Sequence, residues 1–173
     1  MTHEAPSLAP SNLRLLFAYK AWANEELFGA LAGLDAAAHP AEVHDAIRIL
    51  NHVYVVDRIF KAHLEGLAHD YAATNTKATP SLQALTDAVK EVDSWYLAYA
   101  GNMAPSLLQE GVRFAFTDGD TGMMSREEIL LHIINHGTYH RGAAGQVMRS
   151  ASSAPPHDLY TRFLHAVQPE RRQ

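Results

Sequence analysis

The chain has 173 residues, a length typical of one domain, and 47% of its residues are hydrophobic and 19% charged. This composition excludes wholesale disorder, and a net charge of −5 argues against binding to a nucleic-acid backbone. The absence of cysteine excludes disulfides, thiolate zinc sites and a cysteine nucleophile. The unusual feature is the presence of eleven histidines, against fourteen lysines and arginines together.

No targeting or membrane segment is visible in the sequence. Residues 1–10 lack the basic and apolar regions of a signal peptide. No apolar stretch reaches the roughly 18 residues that a membrane-spanning helix needs. We therefore expect a cytoplasmic protein without a membrane partner, folded as a single domain over residues 1–173.

The first half of the chain predicts two long helices. Apolar residues recur at three- and four-residue steps over residues 11–34, which is typical of a helix with one buried face. A second helix is predicted over residues 40–66, between a proline and a glycine. The more apolar of its two neighbouring rows contains His52 and is the expected core face. Asp57 falls on the flanking row, so we expect no inward carboxylate beside His52.

The second half predicts a loop, a helix, a hairpin and another long helix. Small polar residues predict the loop over residues 67–80, and Ser81 caps a third helix that ends at Gly101. Residues 112–124 alternate in period two and then become rich in turn residues, which indicates a short β-hairpin. The fourth helix begins at Ser125, which forms a capping-box pattern with the glutamate three residues later.

The order of these elements predicts the fold class. A last short helix is expected over residues 158–167. Four long helices with one small hairpin inserted before the fourth are most consistent with an all-α four-helix bundle.

Three histidines share the apolar face of the fourth helix. His132, His136 and His140 are four residues apart, and each such step turns the side chain by only about 40°. A lone buried histidine is more often a hydrogen-bonded core residue, but three in succession favour a shared metal that satisfies their polar atoms. Because all three span about 12 Å, two adjacent ones are expected to share the ion. His52, on a facing helix, is the natural third ligand, and three histidines with open positions are typical of catalytic sites.

Other metal sites do not match the sequence. The segment from His136 to His140 has the HxxxH spacing of zinc proteases, but a glycine replaces their glutamate base. The Glu-x-x-His motifs of di-iron bundles do not occur. Asp118 and Asp120 resemble the start of a calcium loop, but Ile129 occupies the position of its bidentate glutamate, so a turn is the better interpretation.

Three segments resemble the bacterial DinB/YfiT-like family of metalloproteins, which is distinct from the DNA polymerase of the same name. They are LFAYKAWANEEL at residues 16–27, LNHV at residues 50–53 and HIINHGTYHRG at residues 132–142. The resemblance covers nearly the whole chain, and the Asn-His-x-x-x-His-Arg-Gly signature is its specific part. Many relatives place glutamine directly after Arg-Gly. This chain has Ala143 there, so no role is carried over to a glutamine.

The resemblance has consequences for fold, cofactor and assembly. It implies a four-helix bundle, often a homodimer, with a divalent metal held by three histidines. In this sequence those ligands are His52, His136 and His140. Imidazole ligands suit zinc, nickel, iron or copper, and the expected cofactor is zinc, nickel or iron.

Two classes of function follow from this resemblance. The first is a metal-dependent enzyme acting on a small molecule, either a hydrolase using metal-bound water or an S-transferase or isomerase. The latter uses a low-molecular-weight thiol such as glutathione, mycothiol or bacillithiol, whose thiolate the metal would bind. The alternative is a non-catalytic stress-response protein that binds a metal or a small ligand. A nucleic-acid partner is disfavoured by the acidic charge balance.

Several other residues near the proposed ligands have two interpretations. His132 is either a hydrogen-bond donor behind the ligands or a packed core residue. Asn51 and Asn135 each precede a proposed ligand and either orient it or simply pack. Arg141 either binds a substrate carboxylate or, as we favour, neutralises a nearby acid. For Trp22, as for Trp95, core packing is favoured over a substrate wall.

The remaining charged and imidazole side chains are expected to be structural or solvated. His63 lies three turns beyond His52 and is too far away to share its metal. Acidic residues such as Asp93 are expected on exposed faces. Six histidines near termini, loops or helix ends are expected in solvent: His3, His39, His44, His69, His157 and His165.

Overall fold

A computed structural model describes residues 10–172, which are mostly helical. Its regular elements are α1 (Pro10–Ala32), α2 (Pro40–Glu65), α3 (Leu82–Asn102), β1 (Gly111–Ala115), β2 (Thr121–Ser125), α4 (Arg126–Ser150) and α5 (Tyr160–Val167). The predicted order of four long helices, a hairpin before the fourth and a short last helix is therefore confirmed. The expectations for the first nine residues, including His3, lie outside the described part of the chain.

Local sequence signals set the ends of the helices that carry the site. Pro40 occupies the first turn of α2, where its missing N–H costs no hydrogen bond. Gly66 ends α2 in the left-handed conformation, at a φ of 70° that favours glycine. At the start of α4, Ser125 Oγ accepts from the Glu128 amide, and the Glu128 carboxylate accepts from the Ser125 amide at 2.7 Å. The predicted capping box is therefore confirmed.

The four long helices pack around a shared apolar core. Helix α1 packs against α3 and α4, and helix α2 packs against the same two helices. At the centre, the rings of Phe17 and Tyr96 stack with their centroids 5.1 Å apart. The Tyr96 hydroxyl is buried and donates to the Asp57 carbonyl at 2.8 Å, so burial of this ring leaves no unpaired donor. Because α2 and α4 are direct neighbours, their inward side chains meet.

The hairpin closes one end of this core. Strands β1 and β2 are antiparallel, with Val112 opposite Met124 and Phe114 opposite Gly122. Val112 and Phe114 are buried, as the period-two alternation predicts. A Cβ atom on Gly122 would come within 2.7 Å of the Phe114 ring, so the close approach of the two strands requires glycine there.

Candidate metal centre

Helices α2 and α4 bring three histidines together. The side chains of His52, His136 and His140 each offer a nitrogen, and these atoms all lie within 4.8 Å of one another. The Nε2 atoms of His52 and His136 are 3.1 Å apart, and the ring centroid of His140 lies 4.7 Å from that of His52. All three side chains are half-buried. The structure therefore brings the three predicted residues together, and we call them the triad. Of the two adjacent histidine pairs on α4, the pair that takes part is the one nearer the C-terminus of the helix.

The loop between α2 and α3 sets the tautomer of His52. Its Nδ1 lies 2.8 Å from the carbonyl oxygen of Thr74, which can only accept a hydrogen bond. Nδ1 therefore carries the proton and Nε2 keeps its lone pair. A backbone carbonyl holding the distal ring nitrogen in this way is typical of metal-ligating histidines.

The donor set fits a divalent cation. The His52 Nε2 lone pair points at His136 Nε2, and the buried Nδ1 of His136 has no hydrogen-bond partner. If His136 Nε2 donates to His52, a lone pair stays buried on Nδ1. If Nδ1 of His136 carries the proton instead, the Nε2 lone pairs of His52 and His136 face each other, and the N–H at Nδ1 is buried without an acceptor. A cation bound between the two Nε2 atoms accepts both lone pairs and so removes the repulsion between them.

The protonation states also suit metal binding. Burial, with smaller contributions from neighbouring His140 and His52, lowers the pKa of His136 to about 3. Burial, together with His52, also lowers the pKa of His140. These rings are therefore neutral at physiological pH, which is the form that ligates a metal.

A buried lysine lies beside the triad, and no pattern in the sequence predicts its burial. Lys20 of α1 is 0% exposed, and its Nζ donates to Asp57 at 2.8 Å and to Asp93 at 2.6 Å. The expectations that Asp57 points to a flanking row and that Asp93 is exposed are both wrong. Both carboxylates face inward because they share this ammonium group, which makes their burial tolerable.

Burial and the ion pair together shift the pKa values of Asp57 and Lys20. Burial raises the pKa of Asp57 to about 6, against the opposing effect of Lys20. One oxygen of Asp57, Oδ1, is buried without a hydrogen-bond partner. Burial alone would lower the pKa of Lys20, but the two carboxylates outweigh it and raise that pKa. The lysine is therefore charged, and its charge is one of the factors that lower the pKa of His136.

The polar network continues across the core to the C-terminal segment. Asp93 accepts from the side-chain amide of Asn24 at 2.6 Å, and Asn24 Oδ1 accepts from Arg141 Nη1 at 3.2 Å. Arg141 Nε donates to Asp158 at 2.8 Å, and the Tyr19 hydroxyl donates to the same carboxylate. Burial and Asp158 together raise the pKa of Tyr19 to about 12. The favoured interpretation of Arg141, neutralisation of a nearby acid, is confirmed.

Gly137 makes room for this network directly beside a proposed ligand. A Cβ atom at position 137 would lie 3.2 Å from Lys20 Cε and 3.2 Å from Arg141 Nη1. The sequence already marks this position, because Gly137 is the residue that replaces the glutamate of the zinc-protease motif. The structure explains the glycine, since the Lys20 side chain passes directly beneath α4 at this point.

The two asparagines do not contact the ligands that follow them. Asn51 is buried and donates to Thr76 Oγ1 at 2.7 Å and to the side chain of Asn75, so it fastens the loop to α2. Asn135 is exposed. The sequence predicted the loop but not that it would carry Thr74, which orients His52.

The remaining histidines and tryptophans have distinct surroundings. The ring of His132 stacks 5.4 Å from that of His136, and its nitrogens lie outside the three-histidine group. The expectation that His69 is solvated is wrong, because the ring is half-buried with its centroid 5.1 Å from that of His63. Trp22 packs with the Phe163 cluster, and Trp95 packs against the main core.

None of the helices within residues 10–172 has the length and apolar character of a membrane-spanning segment.

Comparisons with known proteins identify a family and a relative of this chain. The model of the DinB family matches residues 8–172. Protein DinB of Bacillus subtilis (strain 168) is 25% identical over 167 residues, which cover 90% of this chain and 95% of that protein. No solved structure gives a significant match. The chain belongs to the DinB family.

Proposed function

We propose that this protein is a metal-dependent enzyme of the thiol S-transferase or hydrolase type that acts on a small molecule. His52, His136 and His140 would hold one divalent ion, with zinc, nickel and iron as the candidates. The observation that carries the proposal is the convergence of three imidazoles, each offering a nitrogen that lies within 4.8 Å of the others.

The small number of protein ligands favours catalysis over a purely structural site. In the described part of the chain, no aspartate, glutamate or fourth histidine joins this group. Three protein ligands leave a coordination position for water or substrate, which is typical of catalytic metal sites. When bound, the ion supplies a Lewis acid that lowers the pKa of a coordinated thiol or water.

The surrounding residues have defined parts in this proposal. The Thr74 carbonyl keeps the Nε2 lone pair of His52 directed at the ion. Burial, assisted by the neighbouring histidines and by Lys20, keeps His136 unprotonated, so it is ready to ligate at neutral pH. The chain has no cysteine, so a thiol in the reaction would come from a cosubstrate such as glutathione, mycothiol or bacillithiol.

The family also supports a proposal about assembly. We propose a homodimer in the cytoplasm, each subunit a single domain in which α1–α4 form a four-helix bundle. The packing of α1 and α2 against the same two helices supports this arrangement. Size-exclusion chromatography with light scattering tests the dimer.

Metal analysis of untagged protein tests the site. In protein as purified, before any metal is added, we expect about one equivalent of divalent metal in the native protein and none in His136→Ala. His44→Ala is the matched control, because the His44 side chain is 56% exposed and far along α2 from the proposed ligands. The control should keep its metal. A native protein that takes up no zinc, nickel or iron on titration would refute the proposal.

Activity assays then separate the enzyme from the alternative, a non-catalytic stress-response binding protein. The metal-loaded protein is assayed for transfer of the three thiols to electrophilic substrates and for hydrolysis of small esters and amides. We expect activity that chelation removes and metal restores. A loaded protein that is inactive in all assays, with no exchangeable water on its metal, would support the non-catalytic alternative.

A further inference from the structure

A second pair of histidines lies at the other end of α2. His63 is in the last turn of that helix, and His69 follows in the loop. Their ring centroids are 5.1 Å apart and their planes make an angle of 79°. His63 is eleven residues beyond His52, about 16 Å along the helix, so this pair is separate from the triad.

Each of these rings has a buried nitrogen with no hydrogen-bond partner. The atoms are His63 Nε2 and His69 Nδ1. Buried polar atoms are nearly always paired, so two orphaned nitrogens on contacting rings need a common explanation. A cation or a water between the rings would satisfy both.

The surroundings of His63 Nε2 favour a cation. Because this nitrogen is buried and has no hydrogen-bond partner, a proton on it would lack an acceptor, whereas a lone pair on it is available to a cation. Burial and the neighbouring His69 also lower the pKa of His63, so the ring is neutral.

A surface cleft adjoins each ring of the pair. His63 lines one cleft together with Arg113, and His69 lines the other. In the cleft beside His69, the carboxylates of Glu65 and Asp70 offset the charges of Arg58 and Lys61, which also line it. The field there is therefore not dominated by positive charge.

We propose that His63 and His69 form a second transition-metal site that is weaker than the triad. Imidazole ligands suit zinc, nickel and copper. Among the residues that the structure describes, no third histidine or carboxylate joins the pair closely, so water completes the coordination shell. Two protein ligands instead of three explain the lower affinity.

Zinc titration of the full-length protein, followed by competition with a chelating dye, tests the second site. The native protein should bind two equivalents, one tight and one weaker. His69→Ala should lose only the weaker equivalent, whereas His136→Ala should lose only the tight one. His44→Ala should keep both. His69 lies in a loop, and circular dichroism checks that each variant stays folded.

The outcomes distinguish this site from the triad. Loss of the weaker equivalent in His69→Ala supports the proposal whether or not a tight site is found. If the native protein binds no weaker equivalent, the two orphaned nitrogens hold a water and the proposal is overturned. Retention of the weaker equivalent in His69→Ala overturns it as well.

Discussion

Replacement of Gly137 by alanine should destabilise the protein although alanine is the better helix former. In an open helix position, Gly→Ala contributes up to about 1 kcal/mol of stability. At position 137 the new Cβ would meet Lys20 and Arg141, each at 3.2 Å. Neither can withdraw freely, since Lys20 is held by two carboxylates and Arg141 by three hydrogen-bond partners. Crowding of this kind costs about 1 to 3 kcal/mol.

Gly142→Ala is the matched control for this prediction. Gly142 lies on the same helix, is exposed, and has no atom within 4 Å of the position that a Cβ would take. Urea unfolding of both variants measures the two free energies, provided that the slope stays unchanged. We expect Gly142→Ala to be more stable than the native protein and Gly137→Ala to be less stable, the two differing by about 1 to 3 kcal/mol. Equal stabilisation of both variants would show that the Lys20 side chain moves aside freely.

Three further predictions concern the charges and the loop around the site. Lys20→Met leaves two buried carboxylates without their cation and should cost about 3 to 5 kcal/mol in urea unfolding. Lys90→Met, at a side chain that is 61% exposed, should change little. Because the folded pKa of His136 is about 3, below its ordinary 6.5, metal-free protein should lose stability as the pH falls from about 6.5 towards 3. His136→Ala should lose less between pH 7 and 5, and an equal loss would contradict this pKa. Asn75→Ala releases the loop that presents the Thr74 carbonyl and should weaken zinc binding about tenfold in a chelator competition. Unchanged affinity would show that the carbonyl stays in place without this anchor.

The sequence predicts the helices and the hairpin well because their signals are local. The capping box at Ser125, Pro40 and Gly66 each define a helix end through their own backbone chemistry. The triad was also predictable, since helical periodicity places His136 and His140 on one face and His52 on the core face of another helix, and the family resemblance implies the same three residues.

The buried charges were not predictable, because their burial depends on partners from distant parts of the chain. Asp57 and Asp93 look like surface residues until Lys20 of α1 is placed between them. Their sequence separations from that lysine are 37 and 73 residues. The same holds for His69, whose position against His63 depends on the path of a loop that has no periodicity to read.

The orientation of His52 by a main-chain oxygen has a consequence for sequence drift. Every amino acid provides a carbonyl, so the identity of residue 74 is free to vary while the hydrogen bond to Nδ1 is kept. A one-residue insertion or deletion in the loop, by contrast, would shift a different carbonyl to that place or none at all. Loop length, rather than residue type at position 74, is therefore the property that marks a relative able to hold this imidazole in the same way.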